Sequence, residues 1–186
     1  MCVTLTCHAL VKEWVMACLI SALVGNQNIM KLFDTHLFCS GTFGGEVASI
    51  AASCKTIDVL QNENGLEKIK SYADSLCKGM EELIVSHGLE SYMKIKGYSC
   101  RSILEFTPQD GLCVEEMKTY FMQECIKENL LFFCAQVPCM SHQEHELNFS
   151  LKALEVAMSK FSKAVKNCNL LEKLESKVIQ PIFRKA

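Results

Sequence analysis

From residue 45 onward, apolar residues recur along the chain at intervals of three and four. Val47, Ile50, Ala51, Cys54, Ile57 and Leu60 predict a helix over about residues 45–60, closed by the polar run Gln61-Asn62-Glu63-Asn64-Gly65. Leu66, Ile69, Ala73, Leu76, Met80 and Leu83 predict a second helix, and His87-Gly88 supplies a C-terminal stop. Stretches 92–95 and 102–106 then read as strands around a turn at Lys96-Gly97-Tyr98, followed by a loop at residues 107–111. Val114, Met117, Phe121 and Cys125 mark a third helix, and the apolar run 130–134 a third strand. A last helix starts near His142, with Leu147, Leu151, Leu154, Met158, Phe161 and Val165 on one face. The remainder reads as helical and then loose beyond Pro181. Ahead of these, residues 20–24 read as a short buried strand and 29–33 as a short helix or turn. This order predicts an α+β fold with helices covering one face of a small sheet.

Composition narrows the picture. The chain has 186 residues, 49% hydrophobic and 22% charged, enough for an ordinary domain with a real core. A net charge of −2 without a basic cluster argues against nucleic acid as a partner. The twelve cysteines are scattered from Cys2 to Cys168 with no Cys-x-x-Cys pair. That pattern predicts buried thiols in a reducing, cytoplasmic setting rather than a disulfide scaffold. The apolar run 14–24 has eleven residues, too short to cross a bilayer as a helix. Lys12 ahead of it is followed at once by Glu13, which does not suit a signal peptide, so neither a signal nor a membrane span is expected.

Candidate chemistry concentrates at Phe38-Cys39-Ser40-Gly41-Thr42-Phe43-Gly44-Gly45-Glu46. Glycines let backbone approach a ligand closely, and the first turn of a helix offers unpaired amides at the positive end of a dipole. Such a place suits a phosphate, with the Thr42 hydroxyl as a further donor. The plainer alternative is that Thr42 caps the helix and the glycines form a turn. Elsewhere, Ser141-His142-Gln143-Glu144-His145 has two histidines near Cys134 and Cys139, ligands of a zinc-compatible type. Ser141 and Glu144 also have capping-box spacing, and with no tight four-ligand pattern no metal site is expected. Arg101 could grip a carboxylate, but no motif supports it and it reads as a surface arginine.

Three segments carry a resemblance: Ser21-Ala22-Leu23-Val24-Gly25, Ile29-Met30-Lys31-Leu32-Phe33-Asp34 and Ser40-Gly41-Thr42-Phe43-Gly44-Gly45-Glu46. In order and spacing they resemble the late part of class III pyridoxal-phosphate aminotransferases, most of all glutamate-1-semialdehyde 2,1-aminomutase-like proteins. The resemblance continues weakly to about residue 165. It implies a fold-type I pyridoxal-phosphate enzyme, of which residues 20–45 would be a remnant of the large cofactor-binding domain and 46–186 the C-terminal small domain. It further implies that Gly41, Thr42 and Phe43 bind the cofactor phosphate of the neighbouring subunit in a homodimer. Small-molecule amino donors and acceptors would be the other partners. His142 matches a histidine common at this point in the family, which implies a structural role.

The family carries a Schiff-base lysine in a glycine-rich turn just before the Ser-Ala-Leu-Val-Gly segment. Residues 8–19 here contain no glycine and no proline. If the codons of residues 8–19 are regrouped from the third base of each, they can spell Cys-Phe-Gly-Lys-Gly-Met-Gly-Asn-Gly-Met-Pro, with two glycines forced. Residues 1–19 therefore read as an out-of-frame segment, and codons that cannot be regrouped in this way would remove that reading. Lys12 neighbours the lysine position without matching it, so no catalytic residue is assigned. The expected function is that of a C-terminal fragment of an aminotransferase or aminomutase, inactive alone. The alternative is a non-catalytic folded remnant or self-association module.

Overall fold

The computed structural model describes residues 7–11, 21–38 and 45–180, and the chain divides into two compact units after Leu66. In the first unit, β1 (Cys7–Val11) pairs antiparallel with β2 (Ser21–Gly25), from Cys7 opposite Gly25 to Val11 opposite Ser21. Two short helices follow, α1 (Gln27–Met30) and α2 (Leu32–Thr35), the first capped by the Asn26 side chain, which accepts the Asn28 N–H at 2.9 Å. Helix α3 spans Val47–Asn62 and begins two residues later than the periodicity suggests. Gly45 at φ +74° lies in a turn that a side chain would strain, and Glu46 is extended, so the helix cannot start before Val47. The apolar stripe of α3 is not covered at its start, where Val47 is 77% exposed and Ile50 45%.

The second unit holds α4 (Gly65–Ser86, whose first two residues precede the division), β3 (Met93–Tyr98), β4 (Arg101–Phe106), α5 (Val114–Lys127) and α6 (Glu144–Lys166). The strands pair antiparallel from Met93 opposite Phe106 to Tyr98 opposite Arg101. The hairpin turn is therefore Ser99-Cys100, beyond the expected Lys96-Gly97-Tyr98. Gly97 stays in the strand at φ +96°, where a Cβ would lie 2.7 Å from the Arg101 carbonyl oxygen. Local glycine content marked the turn two residues early.

The expected third strand is present only as an extended edge segment. The Leu104 N–H donates to the Cys134 carbonyl and the Gln136 N–H to the Ser102 carbonyl, both at 2.8 Å, around one antiparallel bridge between Ile103 and Ala135. Cys134 sits at φ +60°, a conformation no ladder continues through. Burial alternates through this segment: Phe132, Cys134 and Gln136 face inward, and Leu131, Phe133 and Val137 face out.

Helices α4, α5 and α6 supply most of the core. Phe161 on α6 packs against Phe106, Phe121, Tyr120 and Tyr92, with ring centroids 5.9 to 6.3 Å apart. Met80, Leu89, Met93, Met117, Leu154 and Met158 fill the remaining space without exposure above 1%. Each such side chain contributes roughly 1.5–3 kcal/mol by leaving water. Gly79 lets α4 approach α6 closely, since a Cβ there would stand 2.6 Å from a Leu151 methyl.

Candidate functional site

Gly41, Thr42 and Phe43, the residues expected at a cofactor phosphate, lie outside the described residues, as does Lys12. Their flank is described. The Glu46 carboxylate accepts the N–H of Ala48 at 3.0 Å and of Ser49 at 2.7 Å, so the first free amides of α3 are already bonded to an anion. Those hydrogen bonds, the Ser49 contacts foremost, hold the Glu46 carboxyl below the usual carboxylate range. The N-cap of α3 is thus Glu46 and not Thr42. A second anion on the Ala48 and Ser49 amides would meet the Glu46 charge.

Two open clefts among the described residues of the second unit bear on its chemistry. One is lined by Tyr120, Glu124, Lys127, Lys160 and Leu174 and centres on a carboxylate that sequence periodicity did not single out. The Glu124 side chain is only 4% exposed, yet it pairs with Lys127 at 2.9 Å and Lys160 at 3.2 Å and accepts from the Gln123 amide at 3.0 Å. Burial pushes its carboxyl up, and the hydrogen bonds from Gln123, Lys127 and Lys160 outweigh burial, leaving it below the usual range. Lys127 continues to Glu175 at 2.6 Å and Lys160 to Glu128 at 3.0 Å. The Gln123 side chain meanwhile grips the chain beyond α6, donating to the Lys173 carbonyl and accepting the Glu175 N–H. Gln123 and the Lys127–Glu175 pair fasten the C-terminal segment here, while Lys163, Glu172 and Lys173 also line the cleft.

The other cleft lies between α4 and the entry to α6, lined by Glu67, Tyr72, Ser75, His142 and Leu147. His142 stacks on Tyr72 with centroids 5.3 Å apart and planes 21° apart, and its Nδ1 accepts the Cys139 N–H at 3.0 Å. His145 turns away to Glu146 at 3.3 Å and is exposed. Among the described residues no three His, Cys, Asp or Glu side chains come together as a metal site. The start of α6 is organised by Glu146, whose carboxylate accepts the Gln143 N–H at 3.0 Å, so the capping pair is Gln143 and Glu146 rather than Ser141 and Glu144. Arg101 is exposed and forms no ion pair among the described residues. No described helix is long and apolar enough to cross a membrane.

Comparison with known proteins places this architecture. No protein-family model matches the chain. A 3-aminobutyryl-CoA aminotransferase of Cloacimonas acidaminovorans is 20% identical over 146 residues, covering 77% of this chain and 35% of that protein. Among solved structures, the FumI protein of Sphingopyxis sp. MTA144 in a PLP form matches with a TM-score of 0.75 at 18% identity, over 86% of this chain and 38% of that one. An omega-transaminase from Sphaerobacter thermophilus matches at 0.70 and 14% identity, over 84% and 39%. The chain therefore shares part of the fold of the pyridoxal-phosphate transaminases and is similar in sequence to an aminotransferase, spanning little more than a third of the length of either.

Proposed function

We propose that this chain is the C-terminal part of a class III pyridoxal-phosphate aminotransferase of the glutamate-1-semialdehyde aminomutase-like kind, inactive by itself. The fold match over more than four-fifths of the chain is the observation that carries this reading. In the intact enzyme, pyridoxal phosphate supplies an electron sink for moving an amino group between a donor and a carbonyl acceptor. Thr42, with the Gly41 and Phe43 backbone, would donate to the phosphate across a homodimer interface. The α3 amides would take no part, because Glu46 occupies them. Residues 20–45 belong in this reading to the large domain and 46–186 to the small domain, while 1–19 are an out-of-frame segment in place of the lysine turn. A cytoplasmic location accords with the family.

A useful amine nucleophile must be desolvated or set beside positive charge, and among the described residues no lysine is buried. The purified chain, supplied with pyridoxal phosphate, an amino donor and a keto acceptor, is expected to show no turnover above the protein-free reaction. Turnover comparable with intact transaminases would overturn the proposal. The exposed Val47, Ile50, Leu37 and Phe38 favour, as the alternative, a folded remnant that associates with itself. In the same experiment a lysine Schiff-base absorbance would count against that alternative.

A further inference from the structure

Beyond α6 the chain turns back and runs along α5 as a strap, residues 170–180. Its polar contacts fall on Thr119, Gln123 and Lys127, spaced four apart along one stripe of that helix. The Gln123 amide donates to the Lys173 carbonyl at 3.0 Å and accepts the Glu175 N–H at 2.8 Å. Lys127 Nζ meets the Glu175 carboxylate at 2.6 Å, and the Ile179 N–H donates to the Thr119 hydroxyl oxygen at 3.0 Å. Leu170 is buried in the core and Leu174 packs against it, while most other strap residues are exposed. A short set of specific contacts therefore holds the strap to the body.

The bend that brings the strap back is unfavourable in two ways. Cys168 sits at φ +52°, where a side chain crowds its own backbone. The side-chain oxygen of Asn169 is buried and accepts no hydrogen bond among the described residues. Rotating Cys168 out of this region removes the first cost and swings the strap off its own α5. Asn169 then reaches water, which removes the second. A second copy offers the freed strap the same stripe of α5, so the closed and exchanged forms share their strap contacts. They differ in the hinge and in the cost of association, which concentration offsets.

We propose that two copies of this chain exchange residues 170–180, each strap seating on the other copy's α5, with residues 167–169 as the hinge. Gln123 and Lys127 then make between chains the hydrogen bonds and ion pair that they make within one. The exchange is reciprocal, so the assembly closes at two chains and leaves no strap unseated. It draws on neither the segment assigned to the cofactor phosphate nor the exposed Val47 and Ile50, and it stands independently of the transaminase reading.

The test mixes equal amounts of unlabelled and heavy-nitrogen-labelled full chain at high concentration under reducing conditions. Once the monomer–dimer ratio is constant, the two species are separated by size. Each is treated with a carbodiimide, which joins the Lys127 amine directly to the Glu175 carboxylate, and the joined peptides are weighed. Monomer is expected to give single-isotope peptides, and dimer about half mixed-isotope peptides, the share that random pairing of exchanged chains yields. Cys168→Gly lets the bend form without strain, and with two hinges per dimer it is expected to raise the dimer dissociation constant at least about tenfold. Three results would each overturn the proposal. They are no dimer at millimolar chain, a dimer whose joined peptides are all single-isotope, and a dissociation constant unmoved by Cys168→Gly. A dimer formed through Val47 and Ile50 would give the second. The isotope comparison needs no variant to fold.

Discussion

Gly97 and Glu124 show how single residues constrain this domain by different physics. At Gly97 the backbone is at φ +96° and the nearest obstacle to a Cβ is a main-chain oxygen, which cannot swing aside. Gly97→Ala is expected to lower unfolding free energy by roughly 2 kcal/mol or more, combining positive-φ strain with the clash. Urea denaturation of the two proteins measures it. Glu124 acts through charge. Its carboxyl is held below its ordinary value in the folded chain, so its contribution is present above the unfolded value of about 4.3 and is lost as pH falls through the lower folded value. Glu124→Gln should cost about 2 kcal/mol at neutral pH, below the usual range for breaking a buried pair because Lys127 and Lys160 remain partly hydrated. The gap between the two proteins should narrow as thermal unfolding is repeated at pH values falling from the unfolded value of about 4.3 through the lower folded value, where Glu124 becomes neutral.

The three long helices of the second unit end alike. Beyond α4, α5 and α6, a residue at positive φ lets two amides turn back to helix carbonyls: Gly88, Asn129 and Cys168. Gly88 and, more weakly, Asn129 advertise this in the sequence, whereas cysteine rarely adopts that conformation. Cys168 is exposed and loses little packing on substitution. Cys168→Gly is therefore expected to stabilise the chain by up to about 1 kcal/mol, seen as a higher unfolding midpoint. The same contrast explains what could be read beforehand. Repeats of three and four located all three helices because each buries one continuous face. The run Leu130-Leu131-Phe132-Phe133 offered no alternation, so its division into inward Phe132 and outward Leu131 and Phe133 was hidden. The true caps, Glu46 and Gln143 with Glu146, differ from the residues that spacing favoured because cap choice depends on where the preceding loop lets the helix begin. Glu124 was illegible for a different reason: its partners come from Lys127 on its own helix and Lys160 on another.

At the scale of the molecule, two compact units lie on either side of Leu66, and the chain spans little more than a third of the transaminases it matches. The helical faces and the sheet edge locate the fold without reference to chemistry. The chemistry does not follow from them: Thr42 was singled out by its glycine flanks and given a role by resemblance, it lies outside the described residues, and the helix that follows it is capped by Glu46. The proposal is that part of the transaminase fold persists here with no lysine, among the described residues, placed to bind the cofactor. The most direct measurement is reduction of the purified chain with borohydride in the presence of pyridoxal phosphate, followed by mapping of the labelled lysines. The account predicts label spread over several exposed lysines, falling together as cofactor is diluted. One lysine labelled stoichiometrically at cofactor concentrations that leave the others free would contradict it.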